Sequence, residues 1–269
     1  MDLKLSGKVA LVTGSSKGIG EAVASGLARE GATVVVHGRN RADAERVAQG
    51  IAAAGGNVHF VTGDLTVESD VAAMIGRARA LAGDIDILVN NAGGSGAGED
   101  WTNTAPATWS AAYDRNVLAA LRVTMQVLPV MRSRGWGRII NISSMAALMP
   151  PSGNPDYSAA KAAMLAMTAS LAKTVAAEGV TVNTVSPGTI HSAKLDRKFR
   201  DVAESRGVDA NAPWDRIQQE VLPLFAQVPV GRVGTLEEIA DTISFLVSPR
   251  AGYITGSNIR LDGGMMPTL

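Results

Sequence analysis

Hydrophobic positions along the chain follow two alternating patterns. Short runs rich in β-branched residues, beginning with residues 9–13 and 33–36, are each followed by a longer alanine-rich stretch in which apolar residues recur at helical spacing. The runs are almost continuously apolar, whereas a strand with one solvent-facing side would alternate apolar and polar residues. The pattern predicts an α/β protein with a doubly wound parallel sheet that helices cover on both faces.

The alternation predicts about seven strands and the helices between them. The strands are expected at residues 9–13, 33–36, 58–62, 85–90, 138–143, 180–186 and 258–261. The helices are expected at residues 20–30, 42–54, 67–81, 109–133, 157–178 and 236–247. No linker, low-complexity tract or internal repeat divides the sequence, so residues 1–269 are predicted to form one domain.

One segment departs from this alternation of predicted strands and helices. Residues 191–211 are rich in charge, and Pro213, Pro223 and Pro229 follow them. The segment comes directly after the sixth predicted strand, at the edge where an open α/β sheet forms its ligand crevice. We therefore expect a substrate lid at about residues 190–225, with an ordinary solvent-exposed helix pair as the alternative.

Composition excludes several classes of function. Lys plus Arg and Asp plus Glu both number 25, so the chain lacks the charge excess of proteins that bind nucleic acid or anionic membranes. The absence of cysteine excludes thiol chemistry, and the three histidines are far apart in sequence, so no metal site is expected. With neither a signal segment nor an apolar run near the ~20 residues of a membrane span, a cytoplasmic protein is expected.

A glycine-rich turn follows the first predicted strand. Residues 13–20 read Thr-Gly-Ser-Ser-Lys-Gly-Ile-Gly and lead into the first predicted helix. Such a turn lets backbone amides approach a pyrophosphate, and the start of the helix presents its positive end to the phosphates. Glycines also serve tight strand–helix connections with no ligand, but this position between a strand and a helix favours a dinucleotide site.

The end of the second predicted strand bears on the choice between NADH and NADPH. Residues 36–40 read Val-His-Gly-Arg-Asn, with no carboxylate to bind a ribose 2′-hydroxyl. Arg39 can grip a 2′-phosphate through two parallel hydrogen bonds, and Lys17 in the glycine-rich turn adds a second positive charge. Each cation alone is typical of a solvated surface. Together they favour NADPH over NADH.

Two further strand ends carry polar side chains. Asp64 follows the third strand, where it could accept a hydrogen bond from the adenine amino group or cap the next helix. The fourth strand ends in Asn90-Asn91-Ala92-Gly93, a small turn that can pass close to a cofactor. Asn90 could either brace the sheet or touch the ligand.

The candidate chemistry lies after the fifth strand. Ser144 closes that strand, and Tyr157 and Lys161 open the next helix on one face, four residues apart. A free tyrosine titrates near ~10, and a nearby ammonium together with an oxidised nicotinamide is expected to lower its pKa. Ser144 can hydrogen-bond the substrate oxygen. A Tyr-x-x-x-Lys pair by itself can be a surface contact, so its meaning depends on the serine and the nucleotide turn.

Asn116 falls inside the helix predicted at residues 109–133. An amide there could be an unremarkable core or surface residue. It could also distort the helix locally and hold a water molecule that relays protons to Lys161.

Taken together, these motifs resemble the short-chain dehydrogenase/reductase family over nearly the whole chain. The matching segments are residues 13–20, 90–93, 157–161 and 182–188, with the family's serine at Ser144 and its asparagine at Asn116. The resemblance implies a Rossmann-type fold, a nicotinamide cofactor, and interconversion of a carbonyl and an alcohol by hydride transfer.

The resemblance also implies the site residues. Ile190 is expected to hold the nicotinamide carboxamide, and Ser192 replaces a threonine that is usual in the family. The implied catalytic residues are Asn116, Ser144, Tyr157 and Lys161. The implied cofactor-binding residues are Gly14, Ser16, Lys17, Gly18, Ile19, Gly20, Arg39, Asp64, Leu65, Asn91, Ala92, Gly93, Tyr157, Lys161, Pro187, Gly188, Ile190 and Ser192.

Family members are commonly tetramers built on two long helices, here at residues 109–133 and 157–178. A small-residue face on the second helix (Ala159, Ala163, Ala166 and Ser170) fits such a homotetramer interface, although burial in the chain's own core would explain it equally well.

Within the family the chain is most similar to 3-oxoacyl-[acyl-carrier-protein] reductases. Where those enzymes use basic residues to meet an acidic carrier protein, this chain has Gly135 and Glu178. We therefore expect a small or medium carbonyl or alcohol substrate, with a true carrier-protein reductase and a non-catalytic nucleotide-binding protein as alternatives. The expected pocket is mostly apolar and consists of residues 94–98, Met145, Leu148, Pro150, Pro151 and the lid.

Overall fold

A computed structural model describes residues 2–96 and 100–267. In this part of the chain, seven parallel strands form one sheet in the order β3-β2-β1-β4-β5-β6-β7. The strands are β1 (Val9–Val12), β2 (Thr33–Gly38), β3 (Val58–Thr62), β4 (Ile87–Asn90), β5 (Gly137–Ile142), β6 (Val180–Pro187) and β7 (Asn258–Leu261). The predicted fold class, a doubly wound parallel sheet of Rossmann type, is confirmed.

Helices cover both faces of the sheet. They are α1 (Gly18–Arg29), α2 (Arg41–Ala53), α3 (Glu68–Ala82), α4 (Pro106–Tyr113), α5 (Ala119–Ser133), α6 (Pro155–Val175), α7 (Ala193–Ser205), α8 (Trp214–Phe225) and α9 (Leu236–Leu246). None of the helices in the described ranges is long and apolar enough to cross a membrane.

The strand order reverses beside β1, which pairs with both β2 and β4. Val12 at the end of β1 lies opposite Val36 of β2 and Val89 of β4, so the carboxyl ends of the three strands lie side by side. A crevice at the carboxyl ends of such strands is where open α/β sheets bind ligands.

The two faces of the sheet explain why the strands are continuously apolar. Adjacent residues of β1 point to opposite sides: Val12 packs in one buried cluster with Val23 and Leu27 of α1. Leu11 packs in the other cluster, with Leu88 of β4 and Met74 of α3. Because both sides are covered by helices, neither set of side chains reaches water.

A chain of buried polar side chains crosses the sheet interior. The Asn90 amide donates to Thr124 (3.0 Å) and to Asn141 (2.9 Å), and the Asn141 amide donates to Thr168 (2.8 Å). The hydroxyls of Thr168 and Thr184 are 2.8 Å apart. This chain joins β4, β5, β6, α5 and α6, so Asn90 braces the sheet, which is one of the two roles the sequence left open.

The helix predicted at residues 109–133 is interrupted. It begins earlier, at Pro106, because proline fits the first position of a helix. Between α4 and α5, residues Asp114–Leu118 form a turn of π-helix that contains Asn116. A π turn inserts one residue into the helix and is frequent at functional sites.

The segment predicted as a lid is folded into α7 and α8. These helices pack on each other around Phe199, Ala203, Ile217, Val221 and Leu222. The ring of Trp214 stacks on His191 with 3.8 Å between centroids, which ties α8 to the chain leaving β6. The segment therefore has a small apolar core of its own, and its action as a lid stays a prediction.

Replacing Asn141 by alanine is expected to destabilise the fold. The change removes the acceptor for Asn90 and the donor for Thr168 inside a buried network, so the free energy of unfolding should fall by about 2–4 kcal/mol. Chemical denaturation measures this change. Asn57→Ala, which removes an exposed hydrogen bond to Thr33, is the matched control and should cost less than about 0.5 kcal/mol. Equal effects of the two substitutions would show that the buried network contributes nothing.

Candidate active site

Ser144 lies at the carboxyl end of β5, where the strand gives way to a short 3₁₀ turn. Its hydroxyl oxygen accepts a hydrogen bond from the Ala146 amide (3.1 Å) and fixes the side chain at the crevice. The Ser144 side chain also acts on the phenol of Tyr157, whose pKa it lowers through hydrogen bonding. Two of the predicted catalytic side chains therefore lie near each other.

Tyr157 stands in the first turn of α6. Asn154 precedes the helix in a left-handed conformation (φ 57°), and Pro155 occupies its first position. This sharp entry, which the sequence did not reveal, directs the first turn of α6 at Ser144. Burial raises the pKa of the Tyr157 phenol, and the Ser144 hydrogen bond acts in the opposite direction. The protein's own contribution is therefore opposite to the lowering that the sequence predicts.

Lys161 is buried behind Tyr157. Its Nζ donates to the Ile142 carbonyl oxygen (2.7 Å) and lies 5.7 Å from the centre of the Tyr157 ring. Burial lowers the pKa of Lys161 to about 8. The Ser143 hydroxyl donates to the Lys161 carbonyl (2.9 Å), a positioning contact that the serine doublet 143–144 could have suggested.

Asn116 is held by the backbone around it. Its Oδ1 accepts from the Gly94 amide (2.9 Å), and its Nδ2 donates to the carbonyls of Ala112 (2.8 Å) and Gly94 (3.2 Å). A Cβ on Gly93 would lie 2.5 Å from Asn116 Oδ1 and 3.5 Å from Lys161 Nζ. Asn116 and Lys161 therefore converge on Gly93, and the distortion of the helix that the sequence allowed is present.

The glycine-rich turn fits a pyrophosphate. Gly14 (φ 63°) packs closely against the loop that follows β4. A Cβ at position 14 would lie 2.8 Å from the Cα of Ala92. Gly18 (φ 59°) faces open space and begins α1, whose first amides have no acceptor within the helix. The turn thus offers the backbone amides and the positive helix end that favour phosphate binding. Gly20 must be glycine, because a Cβ would lie 2.5 Å from the Asn91 side chain.

The loop after β4 braces this turn. The Asn91 Nδ2 donates to the carbonyls of Thr13 (3.0 Å) and Gly14 (2.9 Å). In return, the Thr13 hydroxyl oxygen accepts from the amides of Asn91 and Ala92, both at 3.0 Å. Residues 91–93 therefore fix the floor of the cofactor crevice.

Arg39 and Lys17 are both exposed. Arg46 of α2 donates to the Ser16 carbonyl (3.0 Å) and pairs with Glu21 of α1, so the turn carrying Lys17 is anchored. Binding of a 2′-phosphate by Arg39 and Lys17 stays a prediction.

Asp64 and Leu65 follow β3 beside that outer end. Asp64 accepts from the amide (2.9 Å) and hydroxyl (2.7 Å) of Thr66, and these hydrogen bonds lower its pKa. Val67 is the residue that precedes α3, so Asp64 does not cap this helix. Asp64 also borders a cavity of about 440 Å³, together with Arg39, Thr62, Gly63, Asp70, Ala73 and Arg77.

The other end of the crevice is formed by the chain leaving β6. Pro187 ends the strand, and the Gly188 amide donates to Leu261 (2.8 Å). Ile190 pairs with Gly234 as an isolated bridge, and Ser192 caps α7 through its hydroxyl oxygen. This places both predicted nicotinamide-side residues at one edge. Of the predicted substrate pocket, residues 97–98 lie outside the described residues.

His37 is a buried residue of β2 that the sequence did not single out. Its ring is hydrogen-bonded on one side to Gly14 and on the other to Gly63. No group of three or more residues that could hold a metal ion occurs within residues 2–96 and 100–267.

A family model described as short chain dehydrogenase matches residues 8–203. The chain belongs to this family. It is 36% identical over 98% of its length to the 3-oxoacyl-[acyl-carrier-protein] reductase of Vibrio cholerae, of which 99% is covered. It is 34% identical to nodulation protein G of Azospirillum brasilense, with 97% of this chain and 99% of that protein covered.

Among solved structures, L-sorbose reductase from Gluconobacter frateurii, complexed with NADPH and L-sorbose, matches with a TM-score of 0.92. The identity is 35%, and all of both chains is covered. The chain is thus an oxidoreductase of the short-chain dehydrogenase type, and these relatives support a nicotinamide cofactor.

Burial of Lys161 predicts a pH-dependent stability. The pKa of Lys161 is about 8 in the folded chain and near ~10.4 in an unfolded one. Below pH 8 the side chain is charged in both states, and burial of that charge destabilises the folded chain. Between these two values the unfolded chain binds more protons, so rising pH should stabilise the wild type relative to Lys161→Met. Chemical denaturation of both proteins at intervals between pH 7 and about 10.5 measures this difference. A difference independent of pH would contradict a lowered pKa.

Proposed function

We propose that the chain is an NADPH-dependent oxidoreductase that interconverts a carbonyl and an alcohol on a small or medium substrate, with Tyr157 as general acid and base. The convergence of three side chains carries the proposal: Ser144 lies near enough to the Tyr157 phenol to lower its pKa, and the buried Lys161 Nζ lies 5.7 Å from the centre of the Tyr157 ring. This arrangement offers a proton donor, an oxygen-positioning hydroxyl and a charge in one place.

In the reductive direction, a bound NADPH would supply the hydride that adds to the carbonyl carbon. The Tyr157 hydroxyl donates its proton to the carbonyl oxygen, and the Ser144 hydroxyl holds that oxygen in place. Burial keeps the phenol protonated at neutral pH, which suits a proton donor. As the phenolate forms, the charge on Lys161 stabilises it. Reprotonation through a water molecule near Asn116 and Lys161 completes the cycle.

The same proposal assigns NADPH as the preferred cofactor. Arg39 at the end of β2 and Lys17 in the glycine-rich turn are exposed cations, and Arg46 anchors that turn. The described residues at the end of β2 include no carboxylate that would favour a 2′-hydroxyl instead. The NADPH complex of L-sorbose reductase supports this assignment.

For the substrate, we favour a small ketone, with a ketose as the first to test because L-sorbose reductase matches over its full length. A 3-oxoacyl thioester is the second candidate, favoured by the identity to the Vibrio cholerae reductase. Against a carrier-protein partner, Glu178 forms an ion pair with Arg132, which neutralises a cation at the surface where an acidic partner would need one.

The assembly is part of the proposal as well. Ala159, Ala166 and Ser170 are exposed on α6, so burial in the chain's own core does not explain these small residues. On the neighbouring α5, Met125 is 64% exposed. A homotetramer that buries this surface fits both observations.

Replacing Tyr157 by phenylalanine is expected to abolish turnover while cofactor binding is retained. Loss of the proton donor should lower kcat by about 10²–10⁴-fold. NADPH oxidation in the presence of L-sorbose and of acetoacetyl-CoA measures turnover, and NADPH fluorescence measures binding. Tyr253→Phe, at a fully exposed tyrosine, is the matched control and should leave both unchanged.

Substantial turnover by the Phe variant would refute the acid–base role of Tyr157. A wild-type protein that binds NADPH and reduces nothing across a broad carbonyl panel would favour a non-catalytic nucleotide-binding protein instead.

Replacing Arg39 by alanine is expected to weaken NADPH binding about tenfold or more and NADH binding much less, because hydrogen bonds to a charged group contribute about 1.5–3 kcal/mol. Titration of each cofactor gives the two dissociation constants. Arg41→Ala removes a neighbouring exposed cation and is expected to affect both cofactors little. Equal losses for NADPH and NADH in the Arg39 variant would refute the NADPH preference.

A further inference from the structure

The ring of His37 fills the gap between two turns that border the cofactor crevice. It belongs to β2 and is buried, with 2% of its surface exposed. The Gly14 amide donates to its Nδ1 (3.1 Å), and its Nε2 lies 3.1 Å from the Gly63 carbonyl oxygen. Gly14 belongs to the glycine-rich turn, and Gly63 directly precedes Asp64. One imidazole thus connects the phosphate side of the crevice to the adenine side.

The two partners fix the protonation state of the ring. A backbone amide can only donate, so Nδ1 must carry a lone pair, and a carbonyl can only accept, so Nε2 must carry the proton. Only the neutral imidazole satisfies both. A proton added to Nδ1 would point at the Gly14 N–H and replace an attraction by a repulsion.

The backbone of His37 strengthens the same link. Its amide donates to the Ser15 hydroxyl (2.9 Å), and its carbonyl accepts from the Ser15 amide (2.8 Å). The Ser15 hydroxyl in turn donates to the Val12 carbonyl (2.6 Å). Ala92 packs against Gly14 from the other side. Within the described residues, the His37 ring is the only side chain that accepts a hydrogen bond from a backbone amide at the start of the glycine-rich turn.

We propose that His37 is a positioning residue for NADP(H): its neutral imidazole holds the glycine-rich turn in the phosphate-binding conformation, and protonation of the ring releases that turn. The inference rests on the cofactor site proposed above. It predicts that the affinity for NADP(H) falls at acidic pH because His37 of the protein becomes protonated.

The groups around His37 determine the pH range in which this loss of cofactor affinity occurs. Burial lowers its pKa from the ordinary value of 6.5, and Arg39 after β2 acts in the same direction. Asp64 after β3 raises it, as does the hydrogen bond to Gly63. The pKa of Asp64 is itself lowered, so this carboxylate keeps its charge across the relevant range. On the glycine-rich turn, Lys17 is exposed. Affinity should therefore be constant at pH 7–8 and fall only below pH 6.5.

The test compares NADP⁺ binding by calorimetry at about pH 8 and about pH 5.5. His37→Asn places an uncharged acceptor near the position of Nδ1, whereas His37→Gln can keep a donor for Gly63 but not the acceptor for Gly14. His59→Asn, at a partly exposed histidine of β3, is the matched control. Because the 2′-phosphate itself titrates near ~6, the informative quantity is the difference between wild type and variant, and NAD⁺ serves as a second probe.

The wild type and the His59 variant should lose more affinity on acidification than His37→Asn, by up to about fivefold, the equivalent of one hydrogen bond once the ring is fully protonated. At pH 8 the Asn variant should bind NADP⁺ nearly as well as the wild type, and the Gln variant should bind about fivefold more weakly. An Asn variant with the same acid loss as the wild type overturns the role of His37 and leaves the proposed function intact. A wild type that binds no NADP⁺ at pH 8 overturns the proposed function, and this inference with it.

A second measurement needs no variant. If protonation of His37 weakens NADP⁺ binding, NADP⁺ binding must lower the pKa of His37 by the same free energy. The chain has three histidines, so their ring signals can be followed by NMR titration with and without NADP⁺. A shift to lower pKa at His37 but not at His59 supports the proposal, and an unchanged His37 refutes it.

Discussion

The parallel pairing of β1 with β2 on one side and β4 on the other is the constraint on which the site depends. It brings the carboxyl ends of three strands side by side, so the glycine-rich turn, the start of α2 and the loop after β4 share a single crevice. Contacts between these strand ends shape the phosphate side, from Asn91 to Thr13 and from His37 to Gly14. The turn is thus built by its neighbours, and glycine supplies only the freedom to adopt it.

The half of the crevice that contains Lys161 depends on the buried charge of this residue. Lys161 is desolvated, and the Ile142 carbonyl is its close oxygen partner among the described residues. A buried ammonium lowers the stability of the folded chain unless the fold fixes the groups around it. The buried hydrogen bonds from Asn90 to Thr184 provide that rigidity between the sheet and α6. Stability and chemistry therefore draw on the same polar interior.

Much of this could be predicted from the sequence. Continuously apolar runs indicated a parallel sheet, and the spacing of Tyr157 and Lys161 put both on one helix face, because these signals are local or periodic. The left-handed entry at Asn154 and the two hydrogen bonds of the His37 ring could not. Each of these depends on a partner far away in sequence or on a single backbone angle, and neither leaves a periodic trace.

The π turn at Asp114–Leu118 also sets how α4 and α5 are oriented relative to each other. An α-helix advances by about 100° per residue, so the extra residue in this turn rotates the face of everything that precedes it relative to everything that follows. A chain shortened by one residue here could regain a regular helix. It would then have to turn either the surface of α5 away from its neighbours or the Asn116 amide away from Gly94. The irregular turn thus lets one continuous rod present the exposed surface of α5 and the Asn116 amide in different directions.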